Sequence, residues 1–258
     1  MPDLPRAVTS RAWLALCHAE RGEFTEGIAL GDEAARMAEA VDQPLSRIVA
    51  SWGVGCLYLV KEDFPKAIPA LERGLAVCQS WDIRAYAPAI ASALGASYTL
   101  ARRVGEALPL LEQYAFKGTV GQPSRAVPWL SEAYLLAGRV DDAMRRAQQA
   151  LELCHAHRYR GHEAYALRLL GDIAVWREPP EATQAEAYYR QALALADELG
   201  MRPLQAHCHC GLGTLYAMTG QRDQARTELS TAIEMYKSMD MTFWLPQTEA
   251  ALAQVEGR

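Results

Sequence analysis

Apolar and small residues recur every three or four positions along this chain, in long runs separated by short polar breaks. In "DDAMRRAQQALELC" and "RDQARTELSTAIEMY" they fall at i, i+3/4 and i+7, the spacing of a helix with one buried stripe. No stretch alternates apolar and polar residues as a β-branched strand would. The breaks "ERGEF", "KEDF", "ARRV", "AGRV" and "TGQR" read as turns between the two members of a helix pair.

The pairs repeat. Leu212-Gly213 is followed by Tyr216, Gly220, Ala225 and Ala232. The same order appears in Val54-Gly55, Tyr58, Ala67, and in Leu94-Gly95, Tyr98, Ala107. It returns in Leu130-Ser131, Tyr134, Gly138, Ala143, Ala150, and in Leu170-Gly171, Ala185, Tyr189, Ala192. A weaker copy, Leu14-Ala15, His18, Gly22, Gly27, Ala34, opens the chain. The small residues at 15, 55, 95, 131, 171 and 213 are spaced by 40, 40, 36, 40 and 42, and Pro69 and Pro109 echo the same interval. A small residue between Leu and Tyr lets a partner helix approach closely.

Six units of about 40 residues follow, near 6–42, 45–80, 84–118, 124–158, 162–199 and 203–239. "REPPEATQ" is expected to loop out between the helices of the fifth. "MTFWLPQTEAALAQVEGR" has no partner helix after it and is expected to form a capping helix over 241–256. The expected fold is all-α: one solenoid domain, 1–258, of about six helix pairs plus the cap.

Such pairs resemble tetratricopeptide repeats (TPR). The resemblance implies a right-handed superhelix whose first helices line a concave face. The segment 201–252 and "ALPLLEQ" also resemble the C-terminal TPR arm of bacterial multidomain proteins that carry adenylate/guanylate cyclase and STAND-type ATPase domains. This chain contains no GxxxxGK[ST] phosphate loop and no cyclase metal-binding strand pair. The resemblance therefore implies an arm whose ATPase and cyclase domains lie upstream in a parent protein, or a free-standing relative. Met1-Pro2-Asp3 leads almost at once into the first unit, as in a trimmed arm.

Half of the residues are apolar, so a sizeable core is expected, and the net charge of −5 without a basic cluster argues against nucleic acid. No signal peptide and no uninterrupted apolar run of spanning length is present, which points to the cytoplasm and away from a membrane. Cys17, Cys56, Cys78, Cys154, Cys208 and Cys210 mostly sit inside helical patterns, as reduced and buried thiols do.

"HCHC" at 207–210 looks like half a zinc site. Consecutive helical residues fan about 100° apart, so only His207 and Cys210 share a face. The other His/Cys-rich stretch, Cys154 to His162, is a whole unit away, so no metal and no cofactor is expected. Cys17-His18 cannot face each other on a helix. The acidic pairs 62–63 and 141–142 are expected at the starts of second helices, where negative charge suits the dipole. With no catalytic constellation, the chain is expected not to be an enzyme.

A ligand of such a solenoid would lie on its first helices. By register that face carries Trp52, Cys56, Ser92, Arg125, Trp129 and Glu132, then Tyr165, Arg168, Asp172, His207, Cys210 and Thr214. Trp52 and Trp129 read equally as groove or as core. Arg125 and Arg168 suit a carboxylate, unless Glu132 and Asp172 neutralise them. Chaperone-tail-binding TPRs use a carboxylate clamp of Lys and Asn. This chain has no Asn, and Lys61, Lys66, Lys117 and Lys237 lie outside the first-helix centres, so that clamp is excluded. The expected function is a scaffold binding a protein or peptide, as the regulatory or sensor arm of a bacterial signalling protein. The alternatives are an inducer-sensing domain for a small molecule and a metal-binding protein using His207 and Cys210.

Overall fold

The computed structural model describes residues 4–41, 43–117 and 123–257; the expected end points 42 and 118 and the Met1–Asp3 start lie outside them. Among the described residues there are thirteen helices and no strand. They alternate as first and second helices: α1 (Leu4–Glu20) and α2 (Phe24–Val41), α3 (Pro44–Lys61) and α4 (Phe64–Ser80), α5 (Ala87–Leu100) and α6 (Val104–Tyr114). Next come α7 (Pro123–Leu136) and α8 (Val140–His157), α9 (Arg160–Trp176) and α10 (Ala182–Leu199), then α11 (Arg202–Met218) and α12 (Arg222–Ser238). The last, α13 (Leu245–Glu256), follows alone. It starts later than the expected 241 because Pro246 pre-sets the first turn there. Of "REPPEATQ", residues 177–181 form the non-helical link between α9 and α10, whereas Ala182, Thr183 and Gln184 open α10 rather than looping out.

The chain forms two compact units, Met1–Ala137 and Gly138–Arg258. In the first, α1 packs on α2 and α3, α3 on α4 and α5, and α5 on α6 and α7. In the second, α9 packs between α8 and α10, α11 lies on α10 and α12, and α13 covers α12 and α11.

The small residue of each first helix explains the closeness of its pair. A Cβ at Gly55, Gly95 or Gly213 would stand 2.4, 2.6 or 2.7 Å from Leu71, Leu111 or Leu229, always 16 residues later. Where the first-helix residue is larger, a smaller residue stands on the second helix: Ala147 follows Ser131 by the same 16 positions, and in the first pair a Cβ at Gly27 would stand 3.0 Å from the Ala15 carbonyl oxygen. The fifth pair is built differently. The ring of Tyr189 on α10 fills the space beside both Gly171 and Gly211, where a Cβ would meet it at 2.7 and 2.6 Å.

Seven residues after the small residue the backbone turns left-handed. Gly22, Glu62, Arg102, Gly138 and Gly220 all have φ between 63° and 79°. The amide of the next residue then closes the helix by donating to the carbonyl at the Tyr position. Glu23 donates to His18, Asp63 to Tyr58, Arg103 to Tyr98 and Gln221 to Tyr216, at 2.8 to 3.0 Å. Glu62 therefore ends α3 rather than starting α4, and Asp63 makes no side-chain cap. Glu62 thus departs from the expected start of a second helix, whereas Asp63 stands at the N-terminal boundary of α4 as expected. Asp141 and Asp142 do lie in the first turn of α8.

The same tyrosines tie neighbouring pairs together. Tyr98 donates to Glu72 at 2.7 Å, Tyr134 to Glu112 at 2.9 Å and Tyr216 to Glu186 at 2.9 Å, each from a first helix to the second helix before it. Burial, then Glu72, pushes the Tyr98 phenol up to about 12.

Candidate functional site

Within the first unit, the first helices α1, α3, α5 and α7 form a continuous row. Adjacent packed helices sit about 8–10 Å apart, so a straight row would leave α1 and α7 roughly 25–30 Å apart. Yet Arg125 on α7 donates to Glu20 on α1 at 3.0 Å, across 105 residues. The row therefore curls on itself, and this contact lies on its inner side. Both side chains are largely shielded, with 18% and 20% of their surface exposed. The Arg125 guanidinium also lies over the indole of half-buried Trp129, 5.5 Å from the ring centroid.

The remaining expected residues of this unit are placed as follows. Trp52, Cys56 and Ser92 are buried, and Glu132 is half-buried. Trp52 makes an edge-to-face contact with Trp13, at 4.7 Å between centroids, and Trp13 itself remains 45% exposed. The Ser92 hydroxyl finds no hydrogen-bond partner. Burial drives the Cys56 thiol up to about 11, with Arg125 opposing and Glu20 reinforcing the shift.

Sequence reasoning missed Trp13 and Glu20. They lie with exposed Cys17 at i, i+4 and i+7 of one face of α1. A glutamate on the last residue of a helix opposes the helix dipole, and that was the available signal. The weak register of the first copy hid it.

In the second unit, α9 and α11 bring Arg168, Asp172, His207 and Cys210 into one neighbourhood. Arg168 donates to Asp172 at 2.7 Å, and the Tyr189 hydroxyl donates to the other oxygen of the same carboxylate at 2.7 Å. His207 Nδ1 lies 2.8 Å from the Tyr236 hydroxyl, and its ring packs against Tyr236 and Trp244. Burial, then the Arg168 charge, lowers its pKa to about 3, so the imidazole is neutral at neutral pH. Cys210 Sγ lies 3.5 Å from the Thr248 hydroxyl of α13. Tyr165 is half-buried against the core, and Thr214 is exposed.

The side chains of "HCHC" fan around α11, with only His207 and Cys210 turned to the same neighbour, Tyr236. Cys208 is fully buried and pushed up to about 12 by desolvation, while His209 pairs with Glu228 at 2.6 Å. Among the described residues no three His, Cys, Asp or Glu side chains gather as metal ligands. Also among them, no helix is long and apolar enough to cross a membrane.

Residues 181–238 match the tetratricopeptide repeat family, covering α10, α11 and α12. The 43 kDa receptor-associated protein of the synapse of Tetronarce californica is 25% identical over 219 residues. The alignment takes in 80% of this chain and 52% of that protein, so the chain spans about half the length of this curated relative. The crystal structure of a Rap protein complexed with competence and sporulation factor superposes with a TM-score of 0.69 at 11% identity, over 96% of this chain and 85% of the other. Aspartyl phosphate phosphatase F of Bacillus subtilis gives 0.60 at 11% identity, over 98% and 79%. At such identities the likeness is one of fold: a TPR-like helical-repeat solenoid.

Proposed function

We propose that the chain is a non-catalytic scaffold that binds a protein or peptide along its first-helix row. The observation that carries this reading is the inner side of that row in the first unit, where Arg125, Glu20 and Trp129 meet over buried Cys56. A curled row of helices offers an extended surface with charge and aromatic area, which suits an extended chain. The Rap protein of similar fold was crystallised with a factor bound, which supports the reading by analogy alone. Buried thiols held protonated at Cys56, Cys154 and Cys208 are poor nucleophiles, which favours binding over covalent chemistry.

The test is selection of binding peptides against the full chain, followed by Trp13→Ala, Trp129→Ala and Arg168→Gln variants that still fold. Loss of binding in at least one of them is expected. Peptides that bind equally to all three sink the reading.

A finer proposal makes the chain a regulatory arm attached to ATPase and cyclase domains, acting in the cytoplasm. It rests on the resemblance of its C-terminal segment to such arms. An antibody against the chain should detect a native polypeptide much larger than 28.4 kDa. A species near that mass removes the arm and leaves a free adaptor.

A further inference from the structure

Both partners of the Glu20–Arg125 pair sit at the wrong ends of their helices. Glu20 is the last residue of α1, where the helix presents its negative end. Arg125 is in the first turn of α7, where the helix presents its positive end. Neither charge helps its own helix. Each is held in a largely shielded position by a residue three pairs away in sequence.

Arg125 has the features of a carboxylate receptor. Its planar guanidinium lies over Trp129, the surroundings are partly desolvated, and the N-terminal end of α7 adds positive potential. Glu20 satisfies it in the chain as it stands. The Glu20 carboxylate, opposed by the dipole of α1, is a weaker partner than a carboxylate free of that constraint.

We propose that Arg125 on Trp129 is a carboxylate-binding site, and that Glu20 occupies it as an internal stand-in which an acidic peptide segment displaces. This deepens the scaffold reading and rests on it. The ligand class is a peptide with a Glu or Asp side chain, or a free C-terminus, seated on the inner side of the first unit. Engagement replaces the α1–α7 contact with a peptide contact, so binding and uncurling of the helix row are coupled.

The test is calorimetric titration of the full chain with a glutamate decapeptide, using a glutamine–serine decapeptide as neutral control. Glu20→Gln removes the internal competitor and is expected to tighten binding about tenfold over the unsubstituted chain. Arg125→Gln is expected to abolish binding in either background. If that variant fails to fold, Arg125→Lys keeps the charge without the planar fork and is expected to bind several-fold more weakly. Equal affinity of Glu20→Gln and the unsubstituted chain, undiminished binding in Arg125→Gln or Arg125→Lys, or no binding by any form overturns the proposal. A selected neutral peptide that binds the first-helix row regardless of Arg125 also overturns it, and leaves the scaffold reading standing.

Discussion

Tyr189 shows how one side chain sets the rules for its neighbours. Its ring occupies the space that Gly171 and Gly211 leave open, and its hydroxyl ends on Asp172. An aromatic ring buried to 3% exposure has nowhere to move. Gly171→Ala or Gly211→Ala should therefore destabilise by about 1–3 kcal/mol, read as a lower denaturant midpoint. Pairing either with Tyr189→Leu should recover part of the loss. His207 supplies a second residue-scale outcome. Its folded pKa of about 3 lies below the ordinary histidine value, so on acidification the unfolded chain takes up a proton that the folded chain refuses. Stability falls as pH drops from about 6.5 toward 3, at up to about 1.4 kcal/mol per pH unit. Urea midpoints measured from pH 7.5 to 5.5 should decline more shallowly in His207→Gln than in the unsubstituted chain. Identical slopes count against an imidazole that the fold keeps neutral.

At the scale of elements, the turn between first and second helix is the most regular device in the chain. Glycine supplies the left-handed residue at 22, 138 and 220, but Arg102 adopts φ 63° at an exposed position. A non-glycine residue there costs about 1–2 kcal/mol in backbone strain, against roughly 0.5–1 kcal/mol of extra chain entropy that glycine loses on folding. Arg102→Gly should thus raise stability by up to about 1 kcal/mol. The tyrosine that precedes the turn does two jobs, since its carbonyl closes the helix and its hydroxyl reaches the previous pair. Tyr98→Phe keeps the first and removes the second, leaving Glu72 without that donor. A loss of about 1 kcal/mol is expected in a denaturant titration.

At the scale of the molecule, acidic and basic side chains are matched in pairs, some within a helical turn and others between neighbouring helices, as Arg11 with Glu33 and Arg160 with Glu198. Arg21 and His18 hold Glu23 below the usual carboxylate range, Arg11 does the same for Glu33, Arg103 for Glu106, Arg139 for Asp142 and Arg160 for Glu198. Lowered carboxylate pKa values contribute stability above the unfolded range, and that stability is lost as pH falls through the folded values. The carboxylate contribution to acid unfolding should accordingly appear below about pH 4, on top of the decline set by His207, and be shallow, because these pairs are open to water. Added salt should reduce the acid-sensitive part without erasing it, measured by circular dichroism between pH 5 and 2. The Glu20–Arg125 pair is largely shielded and should respond less to salt than the exposed pairs.

The repeat, its period, the identity of first and second helices, the loop in the fifth pair and the cap were legible in the sequence because each follows from local spacing. A small residue, a Tyr three later and a Gly seven later act over two helical turns, within reach of a reading along the chain. The ring of Tyr189 wedged against two glycines from different helices was not legible, because nothing in the local pattern says which second-helix residue will fill the gap. The site divides in the same way. Register placed Arg168 with Asp172 on one face of α9 and His207 with Cys210 on one face of α11, and the packing of α9 on α11 brought the two pairs together. Trp52, Cys56 and Ser92 share that register but are buried, because burial depends on how neighbouring pairs stack. The meeting of Glu20 with Arg125 was decided by tertiary structure alone. A period of about 40 residues fixes each helix pair, but the curl of the row, which sums small rotations over successive pairs, brings residues 105 apart into contact.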